Sequence, residues 1–147
     1  MFKTPAKKLH EEGVALFRKG QFEEARQRLD EALQTAEPHS RHVAEIYNDL
    51  GVVQQQLEDF EAAHVALDEA MDRFVALEDQ KGQAQTLGNR AAVYEAEELF
   101  EEAVESYKES ATILEAIGEN ELAMYVWQAI SRLRMRQGQY IAAIGAY

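Results

Sequence analysis

The sequence predicts an all-α protein built as a superhelix of stacked antiparallel helix hairpins. Alanine, leucine, glutamate and glutamine dominate the 147 residues, and these residues are good helix formers. The chain has only two prolines and eight glycines, and it has no run of alternating Val, Ile and Thr that would predict a strand. One hexapeptide recurs four times at nearly constant intervals, which indicates stacked units that cannot bury their apolar faces alone.

The hexapeptide is GQFEEA at 20–25, and it returns as EDFEAA at 58–63, ELFEEA at 98–103 and GQYIAA at 138–143. Upstream of each copy, a large residue is followed four positions later by a small one: Leu9 and Gly13, Tyr47 and Gly51, Leu87 and Ala91, Trp127 and Ser131. The small residue always lies twelve positions before the last alanine of the hexapeptide: Ala25, Ala63, Ala103 and Ala143. Two small residues at matched heights let two helices approach closely, so each copy predicts a helical hairpin.

The helix pairs are expected at roughly 4–19 with 22–36, 41–57 with 60–77, 80–97 with 100–117, and 120–137 with a short eighth helix at 140–147. Gly20 and Gly138 suit the left-handed conformation that ends a helix. Glu58 and Glu98 replace this glycine in the middle repeats, which predicts either a different corner or mild strain. Ser40 is expected to cap the third helix, after the joint marked by Pro38.

This pattern resembles the tetratricopeptide repeat, in the segments LHEEG…GQFEEA, YNDLG…EDFEAA, LGNRA…ELFEEA and WQAIS…GQYIAA. The family period is about 34 residues, and the longer period here is similar to that of kinesin light chains and G-protein-signalling modulators. The resemblance implies a right-handed superhelix forming a single array over 1–147. Its repeats are expected at 6–39, 44–77, 84–117 and, incompletely, 124–147.

Charge and composition argue against several functions. The net charge is −12, and residues 21–126 hold seven basic against 25 acidic residues, which disfavours nucleic-acid and membrane partners. The absence of cysteine excludes disulfides and thiolate chemistry. The N-terminus lacks the apolar core of a signal peptide, so we expect a cytoplasmic protein.

No catalytic residue, cofactor or enzyme activity is predicted. The sequence contains no phosphate-binding glycine loop, HExxH, GxSxG or EF-hand pattern. Its carboxylates are expected on solvated helix faces rather than in the desolvated pair that acid–base chemistry needs. His39 and His42 have the spacing of a metal-binding pair, but the neighbouring Pro38 and Ser40 favour a polar loop before a helix, so no metal site is predicted. Trp127 matches the large residue of the other hairpins, which favours a place in the core over a role in ligand stacking.

The predicted function is a non-catalytic module that binds a protein segment or peptide in its concave groove, which the resemblance implies is lined by the first helix of each hairpin. Asn and Gln both donate and accept hydrogen bonds, which suits an extended peptide backbone. Arg132 and Arg136 are one helical turn apart and can converge on one anion. The predicted groove residues are Asn48, Gln55, Gln85, Asn89, Gln128, Arg132 and Arg136. Ordinary solvation of a polar helix face explains the same residues equally well.

Two further expectations concern partners. The lysine and asparagine clamp with which some tetratricopeptide domains bind chaperone C-termini does not carry over, because His10 and Val14 stand at its places in the first repeat. The alternative function is a structural unit that assembles with itself. The C-terminal segment YIAAIGAY carries no charge, and it predicts a homodimer or higher symmetric oligomer that buries Ile141, Ile144 and Tyr147. Coverage of this segment by further residues of a longer chain explains the same pattern equally well.

Overall fold

The computed structural model describes the backbone of residues 4–145 and the side chains of residues 4–139. Over these residues the chain forms no strand and seven α-helices: α1 (Ala6–Arg18), α2 (Phe22–Thr35), α3 (Arg41–Gln56), α4 (Phe60–Ala76), α5 (Gln80–Ala96), α6 (Phe100–Ala116) and α7 (Asn120–Gly145). The helices pack in consecutive pairs, and α7 packs on α6. The predicted all-α superhelix is therefore confirmed. Among the helices described, none is both long enough and apolar enough to cross a membrane.

The small residues hold the paired helices close together, as their spacing predicts. A Cβ atom added to Gly13 would lie 2.9 Å from Cδ2 of Leu29, and one added to Gly51 would lie 2.6 Å from Cδ2 of Leu67. Both leucines are buried, so neither can easily give way. The hexapeptide alanines with described side chains are all fully buried: Ala25, Ala63 and Ala103.

The corners of the three complete hairpins share one backbone geometry. Gly20, Glu58 and Glu98 have φ angles of 78°, 60° and 63°. The amide of the following residue donates to a carbonyl five positions back, for example from Gln21 to Leu16 at 3.0 Å. This is the Schellman motif. Glutamate therefore makes the same corner as glycine, at a cost of about 1 kcal/mol of backbone strain.

The joint between the first two repeats has a different structure. Ala36 leaves α2 with an extended backbone, and the Ser40 hydroxyl accepts a hydrogen bond from the Val43 amide at 3.4 Å. The predicted N-cap at Ser40 is thus confirmed. The Pro38 carbonyl accepts a hydrogen bond from Arg73 Nη1 at 2.6 Å, which ties this joint to α4.

The predicted fourth hairpin turn is wrong. Helix α7 continues through Gly138 to Gly145, so helices at 120–137 and 140–147 are not separate within the described residues. A Cβ atom added to Gly138 would meet nothing within 4 Å, and Ser131, which occupies the place of Gly13 and Gly51, is exposed. Glycine inside a helix costs only about 1 kcal/mol. A left-handed corner would break helical hydrogen bonds, and without a second helix to pack against, the lost free energy would exceed the cost of the glycine.

The predicted burial of Trp127 is also wrong. Its side chain is 39% exposed, and its Nε1 donates to Glu115 Oε1 at 2.5 Å. Leu9 and Leu87, at the same place in complete hairpins, are buried. The difference arises because, within residues 4–145, no second helix packs against this side of α7.

Candidate binding groove

A cleft of ≈640 Å³ lies between the first helices α3, α5 and α7, and buried residues of α6 close its base. The positions that face it belong mainly to the first helix of each hairpin. Four of the predicted groove residues line it: Asn48, Gln85, Asn89 and Arg132.

Two asparagines bridge neighbouring repeats inside this cleft. Asn89 Nδ2 on α5 donates to Asn48 Oδ1 on α3 at 2.9 Å, across 41 residues of sequence. Asn48 is 8% exposed, whereas Asn89 is half-buried. Each side chain also has polar atoms outside this bond, and such atoms can pair with a peptide backbone.

An apolar wall faces the amides, and sequence reasoning missed it. Tyr125 on α7 is 72% exposed and Leu122 is 39% exposed, and both line the cleft. They precede Ala129 and Arg132 on the same side of the helix. The three- and four-residue spacing of these positions is a signal that could have found them, but it also fits a helix that packs in the core.

The two predicted arginines do converge on one anion, but that anion belongs to the chain. Arg136 Nη1 donates to Glu95 Oε2 at 2.5 Å, and Arg132 Nη2 lies 4.0 Å from Glu95 Oε1. The Tyr107 hydroxyl donates to the same Oε1 atom at 3.3 Å. Burial, together with the neighbouring Glu95 carboxylate, raises the pKa of Tyr107 to about 12, so the phenol remains a donor at neutral pH.

The other predicted groove residues lie outside the main cleft. Gln55 and Arg136 line an adjoining polar pocket of ≈320 Å³, which Glu95 and Arg132 share. Gln128 does not line the cleft and lies instead along a neighbouring face of α7. That face carries Trp127, Ser131 and Met135.

Histidines meet at the edge of the first two repeats in an arrangement that the sequence did not predict. His10 Nε2 lies 2.6 Å from Asp49 Oδ2, and His10 Nδ1 lies 3.0 Å from His42 Nε2. His42 thus pairs with a histidine of α1 rather than with His39. The described part of the chain contains no group of three or more histidine, cysteine or acidic side chains arranged to hold a metal ion.

Comparisons with known proteins agree with this architecture. Residues 5–74 match the tetratricopeptide-repeat family. The fold is similar to that of aspartyl phosphate phosphatase F from Bacillus subtilis, with a TM-score of 0.84 and 13% identity, over 98% of this chain and 39% of the phosphatase chain. This chain therefore spans less than half of the phosphatase's length. No curated protein matches the sequence.

Two shorter solved structures match this chain over nearly the whole of their own length. The first tetratricopeptide domain of Spaghetti (RPAP3), bound to the HSP90 peptide SRMEEVD, has a TM-score of 0.68 and 16% identity, over 90% of this chain and 93% of that chain. The N-terminal domain of stress-induced protein-1 from C. elegans has a TM-score of 0.67 and 16% identity, over 88% and 94%. The stacked hairpins and left-handed corners define a helical-repeat protein. Residues 5–74 thus match the tetratricopeptide-repeat family, and the fold of the described residues is similar to that of tetratricopeptide-repeat domains.

Proposed function

We propose that this chain is a non-catalytic protein-interaction module that holds an extended peptide or partner segment in the cleft between α3, α5 and α7. The observation that supports this most directly is the pairing of Asn48 with Asn89 in the cleft that the exposed Tyr125 also lines. Amides supply hydrogen bonds to a peptide backbone, and the ring supplies apolar contact for a side chain. The similar RPAP3 domain is itself bound to a peptide.

The stacked helices would hold the cleft in its binding geometry before the partner arrives. A groove formed in advance lowers the entropy cost of ordering that binding otherwise carries. His10 and Val14 still occupy the places of the chaperone clamp, so the partner is expected to differ from the HSP90 peptide. The net charge of −12 favours a protein or peptide partner over nucleic acid or a membrane. We also propose that the protein itself is cytoplasmic.

Peptides selected from a random display library on the immobilised, folded chain test this proposal. Tyr125→Ala should weaken their binding at least about tenfold, because an exposed aromatic residue in a groove is a typical hot spot. Because the Tyr125 side chain is exposed, we expect this substitution to leave the fold unchanged. The control is Asn120→Ala, at the exposed start of α7 and outside the cleft. Selected peptides that bind Tyr125→Ala and the unmodified chain equally well would reject the cleft as the site.

A second candidate function, self-assembly through the C-terminal repeat, has support from the apolar side of α7. Met124 is 63% exposed, Met135 is 67% exposed, and Trp127 and Ser131 lie between them. In the complete hairpins this side of the first helix faces the second helix. A helix from a second copy would cover it in the same way. Of the residues predicted for this contact, Ile141 and Ile144 lie in α7 outside the described side chains, and Tyr147 lies outside the described residues.

Sedimentation at tens of micromolar, the range of a moderate dimer, tests this candidate. We expect an oligomer that Met135→Glu dissociates, because a buried charge without a partner opposes association. The matched control is Val65→Glu on α4, where the side chain is similarly exposed at 60%. An unmodified chain that sediments as a monomer would reject self-assembly.

A further inference from the structure

We propose that Arg132 and Arg136 form a carboxylate-binding site for a bound peptide, and that Glu95 fills this site as an internal competitor while the peptide is absent. The inference rests on the proposed function of the cleft. It adds the class of ligand group, a carboxylate, and a residue that limits its affinity.

The positions of the three side chains support exchange. The Glu95 side chain is only 17% exposed, whereas those of Arg132 and Arg136 are 60% and 49% exposed. Both guanidinium groups are therefore accessible from solvent while they face the same inward carboxylate. Arg132 lines both the main cleft and the polar pocket, so a ligand that lies along the cleft reaches it directly.

The ion pairs of Glu95 use few of the hydrogen-bond donors of the two arginines, so a ligand carboxylate can displace Glu95 at a small cost in free energy. Glu95 accepts one short hydrogen bond from Arg136, while Arg132 approaches only to 4.0 Å. A guanidinium group has five donors, and a carboxylate that binds both arginines through two bonds each would use more of them. Exposed ion pairs of this kind contribute little to stability.

Glu95 also keeps a partner when the arginines turn away. The Tyr107 hydroxyl donates to Glu95 Oε1 at 3.3 Å, independently of either arginine. The released carboxylate is thus not left without a hydrogen bond in its half-buried position, which would otherwise oppose the exchange.

The local charge favours a single carboxylate as the ligand group. Arg132 and Arg136 share one pocket with Glu95 and Glu98, so these four side chains carry no net charge together, and a ligand carboxylate that takes the place of Glu95 on the arginines matches its charge. Glu98, which lines the same pocket, reduces the attraction for groups of higher charge. The carboxylate can belong to an acidic side chain or to a peptide C-terminus, so the test includes both sources.

The test uses fluorescein-labelled heptapeptides with the sequence Ser-Leu-Glu-Tyr-Glu-Leu-Ser. The first peptide keeps its glutamates and has an amidated C-terminus. In the second, both glutamates are replaced by glutamine and the C-terminus is amidated, so it has no carboxylate. The third has the same two glutamines and a free C-terminal carboxylate. Affinities are measured by fluorescence anisotropy for the unmodified chain and for Glu95→Gln, which preserves the acceptor for Tyr107. Glu98→Gln is the control, because it removes the same charge from the same pocket without removing an arginine partner.

We expect Glu95→Gln to strengthen binding of a carboxylate-bearing peptide about fivefold, and to leave the amidated glutamine peptide unchanged. Whichever carboxylate peptide gains affinity identifies the source of the group. Glu98→Gln should change every affinity less than about twofold. Adding Arg132→Gln, an exposed substitution that does not threaten folding, should abolish the gain.

Two results would overturn the competitor role. Weaker binding to Glu95→Gln would mean that Glu95 positions the arginines for the ligand, and equal binding would mean that Glu95 does not compete with the ligand for them. If the glutamine peptide binds with Tyr125-dependent affinity in either case, the proposed groove function stands without this site. If no peptide binds either protein, both proposals fail for ligands of this class.

Discussion

Hairpin one and helix α7 carry nearly the same hexapeptide, GQFEEA and GQYIAA, in different structures. Gly20 adopts a φ of 78° and turns the chain into α2, whereas Gly138 lies inside a continuous helix. The small residue upstream is buried in the first case, at Gly13, and exposed in the second, at Ser131. One local pattern thus gives two structures, and the contact with a second helix distinguishes them.

The comparison shows that the corner is a tertiary feature. Closing it breaks helical hydrogen bonds and places a residue in the left-handed region. In hairpin one, the burial of Leu29 and Ala25 against Gly13 offsets this loss. Within the described residues α7 makes its main helix contact with α6 and has no second helix of its own. Helix continuation therefore has the lower free energy there.

The largest expected effect comes from enlarging the small residues at the hairpin contact. Ala103→Leu should lower the free energy of unfolding by about 1–3 kcal/mol, because Ala103 is fully buried between α5 and α6. Ser131 occupies the small-residue contact position on α7 but is exposed, so Ser131→Leu should change the free energy of unfolding by less than about 0.5 kcal/mol. Urea denaturation measures both. Equal losses for the two variants would show that α7 is covered like the other first helices.

Replacing the two hexapeptide glycines, Gly20 and Gly138, with alanine should have opposite effects on the free energy of unfolding. Gly20→Ala should destabilise the chain by about 1 kcal/mol, because alanine disfavours a φ of 78°. Gly138→Ala should stabilise it by about 0.5–1 kcal/mol, because the glycine lies in a helix with open space at its Cβ. Thermal unfolding compares the two. A loss at both positions would indicate that Gly138 also forms a corner.

The smallest expected effect is a pH dependence of the free energy of unfolding, which arises at His42, beside the joint between the first two repeats, and not in α7. Burial and the nearby His10 hold the pKa of His42 below its ordinary value, with Lys7 acting in the same direction and Glu45 opposing them. The folded chain therefore binds this proton less tightly than the unfolded chain does. The stabilising contribution is present above the ordinary histidine pKa of about 6.5 and is lost as the pH falls through the lowered pKa.

Urea midpoints recorded about one pH unit above and below the ordinary histidine pKa check this expectation. The midpoint should decrease on acidification, and His42→Gln should reduce the decrease. His39→Gln is the control, since that exposed histidine has no described contact with His10. An unchanged decrease in His42→Gln would remove His42 as its source.

The parts of the fold that were predictable depend on local, periodic signals. The twelve-residue offset between Gly51 and Ala63 defines the hairpin register, and Ser40 capped its helix as expected. The continuity of α7 and the exposure of Trp127 were not predictable, because both depend on whether a distant second helix is present. In the candidate site, the amide-bearing positions of the first helices followed from the repeat register. The pairing of Arg136 with Glu95 spans 41 residues and has no signature in sequence.

The central claim, that the cleft between α3, α5 and α7 holds a protein segment, is tested most directly by NMR. A peptide selected on the folded chain is titrated into isotope-labelled protein, and the amide and side-chain resonances are followed. The claim predicts that the perturbed resonances cluster at Asn89, Tyr125 and Arg132, within one cleft. Perturbations confined to the outer side of α7 around Met135, or to the second helices α2 and α4, would contradict it.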